Sequence, residues 1–329
     1  MGRSSEEALI ARYFAPLATL PGSDRLTDDA ALISPPPGHT FVVTADALVS
    51  SVHFLQDDPA ETIARKALRV NLSDLAAKGA IPYGFLLCIA LPADWTEPWL
   101  AGFASGLAAD AAHYRFPLIG GDTVSTPGPL TVSVTALGTT PEGRIPRRAG
   151  AQPGDKLCVT GTIGDAALGL ILARGTGEMA GAALDESQRA VLLSRYRLPQ
   201  PRVTLAELVR REASAAMDLS DGLVGDLGKL CLASGVTATV DLDAVPLSEP
   251  ARIATAVSPG LLELAMTGGD DYEILCAVPA SAAPGFISQA SCLGVAVTAI
   301  GDVAAGEGEP SFMHAGSAYR FARRSFSHF

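Results

Sequence analysis

The sequence predicts an α/β protein in two domains, and three observations carry that reading. Strand-like and helix-like segments alternate through both halves of the chain, which indicates α/β layers. At 329 residues the chain is too long for one small core. A stretch without apolar period, TTPEGRIPRRAGAQPGD at 139–155, separates the halves. It places a boundary near its end, giving domains 1–150 and 151–329.

The elements follow in order. Residues 5–19 read as a short amphipathic helix. Residues 40–44 form a β-branched strand ending near Asp46. Pro59 opens a helix to about Lys78, with Gly79 as its stop. Pro82 and Pro92 bound a buried strand over 84–91; a helix covers 97–114. A short strand at 117–119 ends in Gly120-Gly121-Asp122, and 129–138 alternates as a strand should. The second half opens with a strand at 156–160 and the turn GTIGDAALG. Helices follow near 163–174 and 186–196, and LPQPR breaks the chain before a helix at 202–211. A strand at 215–217 feeds MDLSDGL. Then come a helix at 221–233, a strand at 236–241, and strands near 272–278 and 295–301 flanking a helix at 281–292. No internal repeat is evident.

Composition excludes several function classes. A net charge of −11 argues against gripping a nucleic-acid backbone or an anionic membrane. The apolar run at residues 85–90 is far short of a membrane span. The N-terminus carries Glu6 and Glu7 before a helical pattern and does not read as a signal peptide. Glu6 stands where a myristoylation signal wants Ser or Thr. None of the five cysteines forms a CxxC pair, so reduced core thiols in a cytoplasmic protein are expected.

The chemistry lies in nine aspartates at six places: Asp28 and Asp29 (TDDAAL), Asp46 (VVTADALV), Asp74 (VNLSDLAAKG), Asp122 (LIGGDT), Asp218 and Asp221 (MDLSDGL), and Asp270 and Asp271 (TGGDDYEIL). Carboxylates at the ends of buried elements are costly, and clustered ones repel. Cations relieve both problems, and no block of Lys and Arg stands near these stretches. Several Mg²⁺ ions arriving with a polyphosphate would do so.

Each motif also has a plainer reading. Asp-Asp describes a solvated turn. Asp74 and Lys78 suit a surface pair at i,i+4, against a metal ligand facing a cleft beside Asn71. Gly-Gly-Asp describes a tight turn as well as a backbone approach to phosphate. Ser220 or Asp221 would serve as a helix N-cap, and such a helix start also attracts phosphate. Asp270 and Asp271 cannot both be buried without a partner. His53 is either structural or a contact for a substrate phosphate. Arg147 and Arg148 either reach a nucleotide or lie in a solvated loop. The chain has no GxxxxGK[ST] loop, GxSxG elbow, HExxH or kinase HRD signature.

TDDAALI, TADALVSSVHF, KALRVNLSDLAAKGA, LIGGDT, RRAGAQPGDKLCVTGTIGDAALGL, MDLSDGLVGDLGKL and TGGDDYEIL occur in this order along the whole chain. Together they resemble the thiamine-monophosphate kinase family, in the superfamily of aminoimidazole ribonucleotide synthetase and selenophosphate synthetase. The resemblance implies a two-domain synthetase-like fold. Its N-terminal mixed sheet would pair across a homodimer and bind ATP and metal; its C-terminal α/β domain would complete the nucleotide and substrate site. It implies in-line phosphoryl transfer from ATP to thiamine monophosphate, giving thiamine diphosphate, with several Mg²⁺ ions. Carried over by motif, the metal ligands are Asp29, Thr44, Asp46, Asp74, Asp122, Asp218 and Asp221. ATP contacts are Tyr114, Gly121, Asp122, Arg148 and Ser220. Substrate contacts are His53, Asp270 and Phe326. Three positions depart from the family: Ala45 stands where Thr is usual, Asp270 where Glu is usual and Thr27 where Gly is usual. A selenophosphate synthetase would want a reactive Cys near the N-terminus, and none precedes Cys88. A non-catalytic metal-binding protein on the same fold is the remaining alternative.

Overall fold

The structure is a computed structural model that describes residues 5–323 and 325. The chain divides into two compact units, one of residues 1–75 and 80–143, the other of residues 76–79 and 144–329.

The first unit is built on a four-stranded mixed sheet ordered β1-β4-β2-β3. Its strands are β1 (His39–Val49), β2 (Ile81–Pro92), β3 (Leu118–Thr126) and β4 (Thr131–Pro141). β4 pairs antiparallel with β1 and with β2, and β3 runs parallel to β2. A parallel neighbour needs a crossover, and α3 (Glu97–Tyr114) supplies it. α3 begins where Thr96 accepts a hydrogen bond from the Trp99 N–H at 3.3 Å, and ends at Arg115 in the left-handed conformation. α2 (Ala60–Ala77) is buried along most of its length, including Leu68, Leu72 and Leu75.

Three expectations need correction here. β1 and β3 each continue several residues past their expected ends, because pairing with β4 and β2 extends them. Asp46 and Asp122 therefore stand inside strands, opposite Val134 and Cys88, rather than at strand ends. The N-terminal helical pattern is broken into α1 (Glu6–Leu9), a π-turn (Ile10–Phe14) and a 3-10 turn containing Pro16 (Ala15–Leu17).

The second unit holds a seven-stranded sheet ordered β11-β10-β7-β9-β5-β8-β6. The strands are β5 (Asp155–Thr160), β6 (Ala215–Asp218), β7 (Val236–Asp241), β8 (Ile274–Pro279), β9 (Val297–Ala305), β10 (Ser311–His314) and β11 (Ser317–Tyr319). Both faces are covered. Along β5, Leu157 and Val159 enter one apolar cluster and Cys158 the other, as alternation requires. The first cluster takes residues from α4 (Asp165–Arg174), α5 (Glu186–Arg197), α7 (Leu223–Ser234), α8 (Glu249–Val257) and α9 (Pro259–Thr267). The second takes residues from α6 (Ala206–Glu212) and α10 (Ala283–Cys292), with Ala76 and Ala77. Helices α8 and α9 and strands β10 and β11 are not foreseen from the sequence. Cys158, Cys231 and Cys276 are buried free thiols, whereas Cys88 and Cys292 are exposed. Burial pushes the Cys158 and Cys231 thiols up to about 11. Among the described residues, no helix is long and apolar enough to cross a membrane.

Candidate active site

The first unit carries five of the nine singled-out aspartates, on three elements and one loop. Thr44 and Asp46 lie two apart on β1 and so share a face. Ala45 points to the other face, so its departure from the family leaves the Thr44–Asp46 face intact. On α2, Asp74 is half-buried among buried neighbours and accepts a hydrogen bond from the Thr44 hydroxyl at 2.5 Å. That bond fixes a carboxylate of the long helix against the strand. Lys78 donates to the Ala216 carbonyl at 2.6 Å.

One turn before Asp74, Asn71 is fully buried. Its amide donates to the Ala67 carbonyl at 3.0 Å, while its Oδ1 lacks a hydrogen-bond partner. Asp29 and Asp122 line one cavity of about 540 Å³, together with Asp28, Gly120, Gly121 and Thr123.

Gly121 is required for a reason other than ligand approach. A Cβ there would lie 1.8 Å from the Leu87 carbonyl oxygen on β2, so the neighbouring strand excludes any side chain. Thr27 has φ −98°, which any residue adopts, so replacing the usual Gly costs no backbone strain.

His53 follows β1 in a turn. Its Nδ1 accepts from the Val49 N–H at 3.0 Å, which leaves Nε2 to carry the proton of the neutral ring. The imidazole is thus a structural acceptor on one side and a donor on the other. Tyr114 ends α3, 5.8 Å from the Arg69 guanidinium, and Arg69 pairs with the buried Asp110 at 2.5 Å. Tyr114 does not line the cavity that holds Asp29 and Asp122.

In the second unit, two motifs distant in sequence meet. The Asp270 N–H donates to the Ser220 carbonyl and the Tyr272 N–H to the Leu219 carbonyl, each at 2.8 Å. MDLSDGL and TGGDDYEIL therefore form one acidic loop pair. Gly269 is needed there: its φ is +74°, and a Cβ would meet the Ser220 carbonyl at 2.3 Å. Asp270 and Tyr272 take the left-handed conformation, φ 66° and 50°, which costs non-glycine residues energy and is typical of functional loops.

The residue that follows each of them is an anchor. Asp271 is buried and caps α4, accepting from the Gly164 N–H at 2.8 Å; burial pushes its carboxyl well up against that bond. Glu273 is fully buried. It accepts from Arg195 at 2.5 Å, from Arg202 at 2.6 Å and from the Thr160 hydroxyl at 2.6 Å. Burial alone would push this carboxyl up; Arg202 foremost, then Arg195 and Thr160, outweigh it and hold it low. LPQPR, read as a breaker, thus supplies half of a buried clamp.

The expectation that Ser220 or Asp221 caps the following helix is overturned. Gly222 occupies the N-cap and has no capping side chain. The loop N–H groups of Ser220 and Asp221 instead donate to Asp226, inside α7, at 3.0 Å each. Asp226 is fully buried, and burial pushes its carboxyl up despite Lys229. Lys229 pairs with both Asp226, at 2.8 Å, and Asp221. Asp221 thus has one neighbouring cation, although no block of Lys and Arg stands near the motif. The i,i+3 spacing of Asp226 and Lys229 was visible in GDLGKL. Arg148 is exposed, with its carbonyl accepting from the Ser234 hydroxyl at 2.8 Å. Phe326 lies outside the described residues.

Among the described residues, no three His, Cys, Asp or Glu side chains are gathered to hold a metal by themselves. The donor set nevertheless fits Mg²⁺. It consists of hard oxygens, with an orphaned buried Oδ1 at Asn71, and at Asp221 an ammonium already stands where a cation is wanted.

Residues 27–140 match the AIR synthase related protein N-terminal domain and residues 152–313 its C-terminal domain. A thiamine-monophosphate kinase of Caulobacter vibrioides is 45% identical over 92% of this chain and 85% of its own. That of Salmonella typhimurium is 40% identical over 98% of each. The crystal structure of thiamine-monophosphate kinase from Stenotrophomonas maltophilia superposes with TM-score 0.79 at 41% identity, covering 89% of this chain and 91% of that one. AaThiL complexed with AMPPCP and TMP superposes with TM-score 0.77 at 27% identity, over 98% and 94% of the two chains. Escherichia coli HypE, at 19% identity and TM-score 0.78 over 98% of each chain, shares the fold alone. Relatives of this identity and coverage settle the family: the chain belongs to the thiamine-monophosphate kinases, phosphotransferases built from two AIR synthase related domains.

Proposed function

We propose that this protein transfers the γ-phosphoryl group of ATP directly, in line, onto the phosphate of thiamine monophosphate, forming thiamine diphosphate and ADP. The observation that carries the reading is its likeness, over nearly the whole of both chains, to a structure complexed with AMPPCP and TMP. The acidic loops support it. Asp29, Thr44, Asp46, Asp74 and Asp122 from the first unit, with Asp218 and Asp221 from the second, would hold several Mg²⁺ ions. Bound there, Mg²⁺ offsets the charge of the two anionic substrates and of the transferring group.

The chain's own residues then bind and orient. Tyr114, Gly121, Asp122, Arg148 and Ser220 face the nucleotide in this reading. His53 donates from Nε2 to the acceptor phosphate, since Nδ1 is already occupied by the Val49 N–H. Asp270 and Phe326 hold the flat, cationic thiamine rings, a carboxylate and an aromatic face being suited to that charge. The acceptor is a phosphate of low pKa, so no strong general base is required. The strained backbone of Asp270 and Tyr272, held by the Asp271 and Glu273 anchors, keeps the substrate loop in one conformation.

The unit is proposed to act as a cytoplasmic homodimer joined through the first sheet. The exposed apolar residues there, Val43 at 60%, Ile81 at 59% and Val124 at 47%, favour such a partner. No nucleic acid or membrane is involved in this reading.

Incubation with ATP, Mg²⁺ and thiamine monophosphate tests the assignment. Formation of thiamine diphosphate with stoichiometric ADP is the expected result. Folded protein that turns over no nucleotide with this acceptor returns the chain to the non-catalytic alternative.

A further inference from the structure

Lys229 stands at a place where the reaction needs no lysine. Its ammonium joins two carboxylates of different character. Asp226 is fully buried and already holds the Ser220 and Asp221 N–H groups, so its pairing with Lys229 is a fixed part of the fold. Asp221 is about one-third exposed; Lys229 is 40% exposed and borders an open cavity of about 1190 Å³. An ion pair that faces water is weak and exchangeable. One ammonium therefore has a permanent partner and a replaceable one.

We infer that Lys229 is a built-in counter-ion for Asp221: it neutralises that carboxylate in the metal-free protein and yields it when Mg²⁺ arrives, while keeping Asp226. The inference rests on the reading of Asp221 as a metal carboxylate. Its consequence is an order of loading. A fixed positive charge beside the site weakens Mg²⁺ alone. Mg²⁺ accompanied by nucleotide phosphates is disfavoured less, because their negative charge offsets the lysine. Lys229 is thus a positioning residue that sets metal affinity through Asp221 and protects the SDG loop from carboxylate repulsion when no metal is present.

The opposing view makes Lys229 only a tether for the start of α7. The two views predict opposite signs for Mg²⁺ binding. The experiment titrates Mg²⁺ alone, without nucleotide, against the melting temperature of the full chain. It compares wild type with Lys229→Gln, Lys229→Met and Lys229→Arg. Removing one positive charge from beside a bound divalent ion should lower the half-saturating Mg²⁺ concentration about tenfold in the Gln and Met variants. Lys229→Arg keeps the charge and should titrate like wild type. Lys229→Gln retains hydrogen bonding to both carboxylates, so it tests the charge even where Lys229→Met fails to fold. An unchanged or raised half-saturation in Lys229→Gln overturns the inference. So does a wild type that turns over thiamine monophosphate yet melts indifferently to Mg²⁺, which leaves the reaction itself standing. Tighter Mg²⁺ binding in Lys229→Gln beside a wild type without turnover would instead keep the counter-ion and remove the proposed reaction.

Discussion

Glu273→Gln is the sharpest probe of what holds the Asp270–Tyr272 loop. The carboxyl is fully buried and receives hydrogen bonds from Arg195, Arg202 and Thr160. The glutamine keeps the shape, but it removes the charge and turns an NH₂ group toward a guanidinium. Two arginines then share one amide oxygen in a desolvated setting. Breaking one partner of a buried pair costs about 3–5 kcal/mol. For a unit of this length, each kcal/mol shifts melting by about 2–4 °C, so a loss on the order of 10 °C is expected at pH 7.

The pH dependence has a defined sign. The folded pKa of Glu273 lies below its ordinary value of 4.5. Its contribution is therefore present above that value and disappears as pH falls through the folded pKa. Wild-type and variant melting curves, followed by calorimetry from pH 7 downward, should converge in that acid range. A variant within about 1 kcal/mol of wild type at pH 7, or a gap that does not close in acid, refutes the clamp.

Three further outcomes follow. Asp74→Asn keeps an acceptor for the Thr44 hydroxyl but loses the charge; kcat should drop about 10²-fold or more while the melting temperature holds, and near-normal turnover removes Asp74 from the metal set. Gly121→Ala places a Cβ 1.8 Å from the Leu87 carbonyl oxygen and must part β2 from β3, so a loss of about 3 kcal/mol or more is expected in denaturant melts. Phe326→Ala should raise KM for thiamine monophosphate by the equivalent of about 1–2 kcal/mol and leave KM for ATP unchanged; parallel shifts in both would make the residue structural.

Much of this protein was legible locally. Helix α3 and strand β7 fall where Thr96, Pro98 and the alternating VTATVD place them, because caps and period are properties of neighbouring residues. Asp46, Asp74, Asp122, Asp218 and Asp221 stand out in sequence because carboxylates beside apolar runs need an explanation wherever the chain goes. Tertiary structure decided what each acid does. Asp270 and Asp271 are adjacent and chemically identical, yet Asp271 caps α4, whereas Asp270 sits in a strained turn beside the SDG loop. Strand pairing carried β1 and β3 through their aspartates, and helix α7 turned Asp226 inward to replace the expected cap. The clamp on Glu273 joins residues 71 and 78 positions apart. Local sequence shows that a buried carboxylate requires a partner. Which cation or N–H supplies it depends on contacts between segments far apart in the chain, and only the folded chain brings those together.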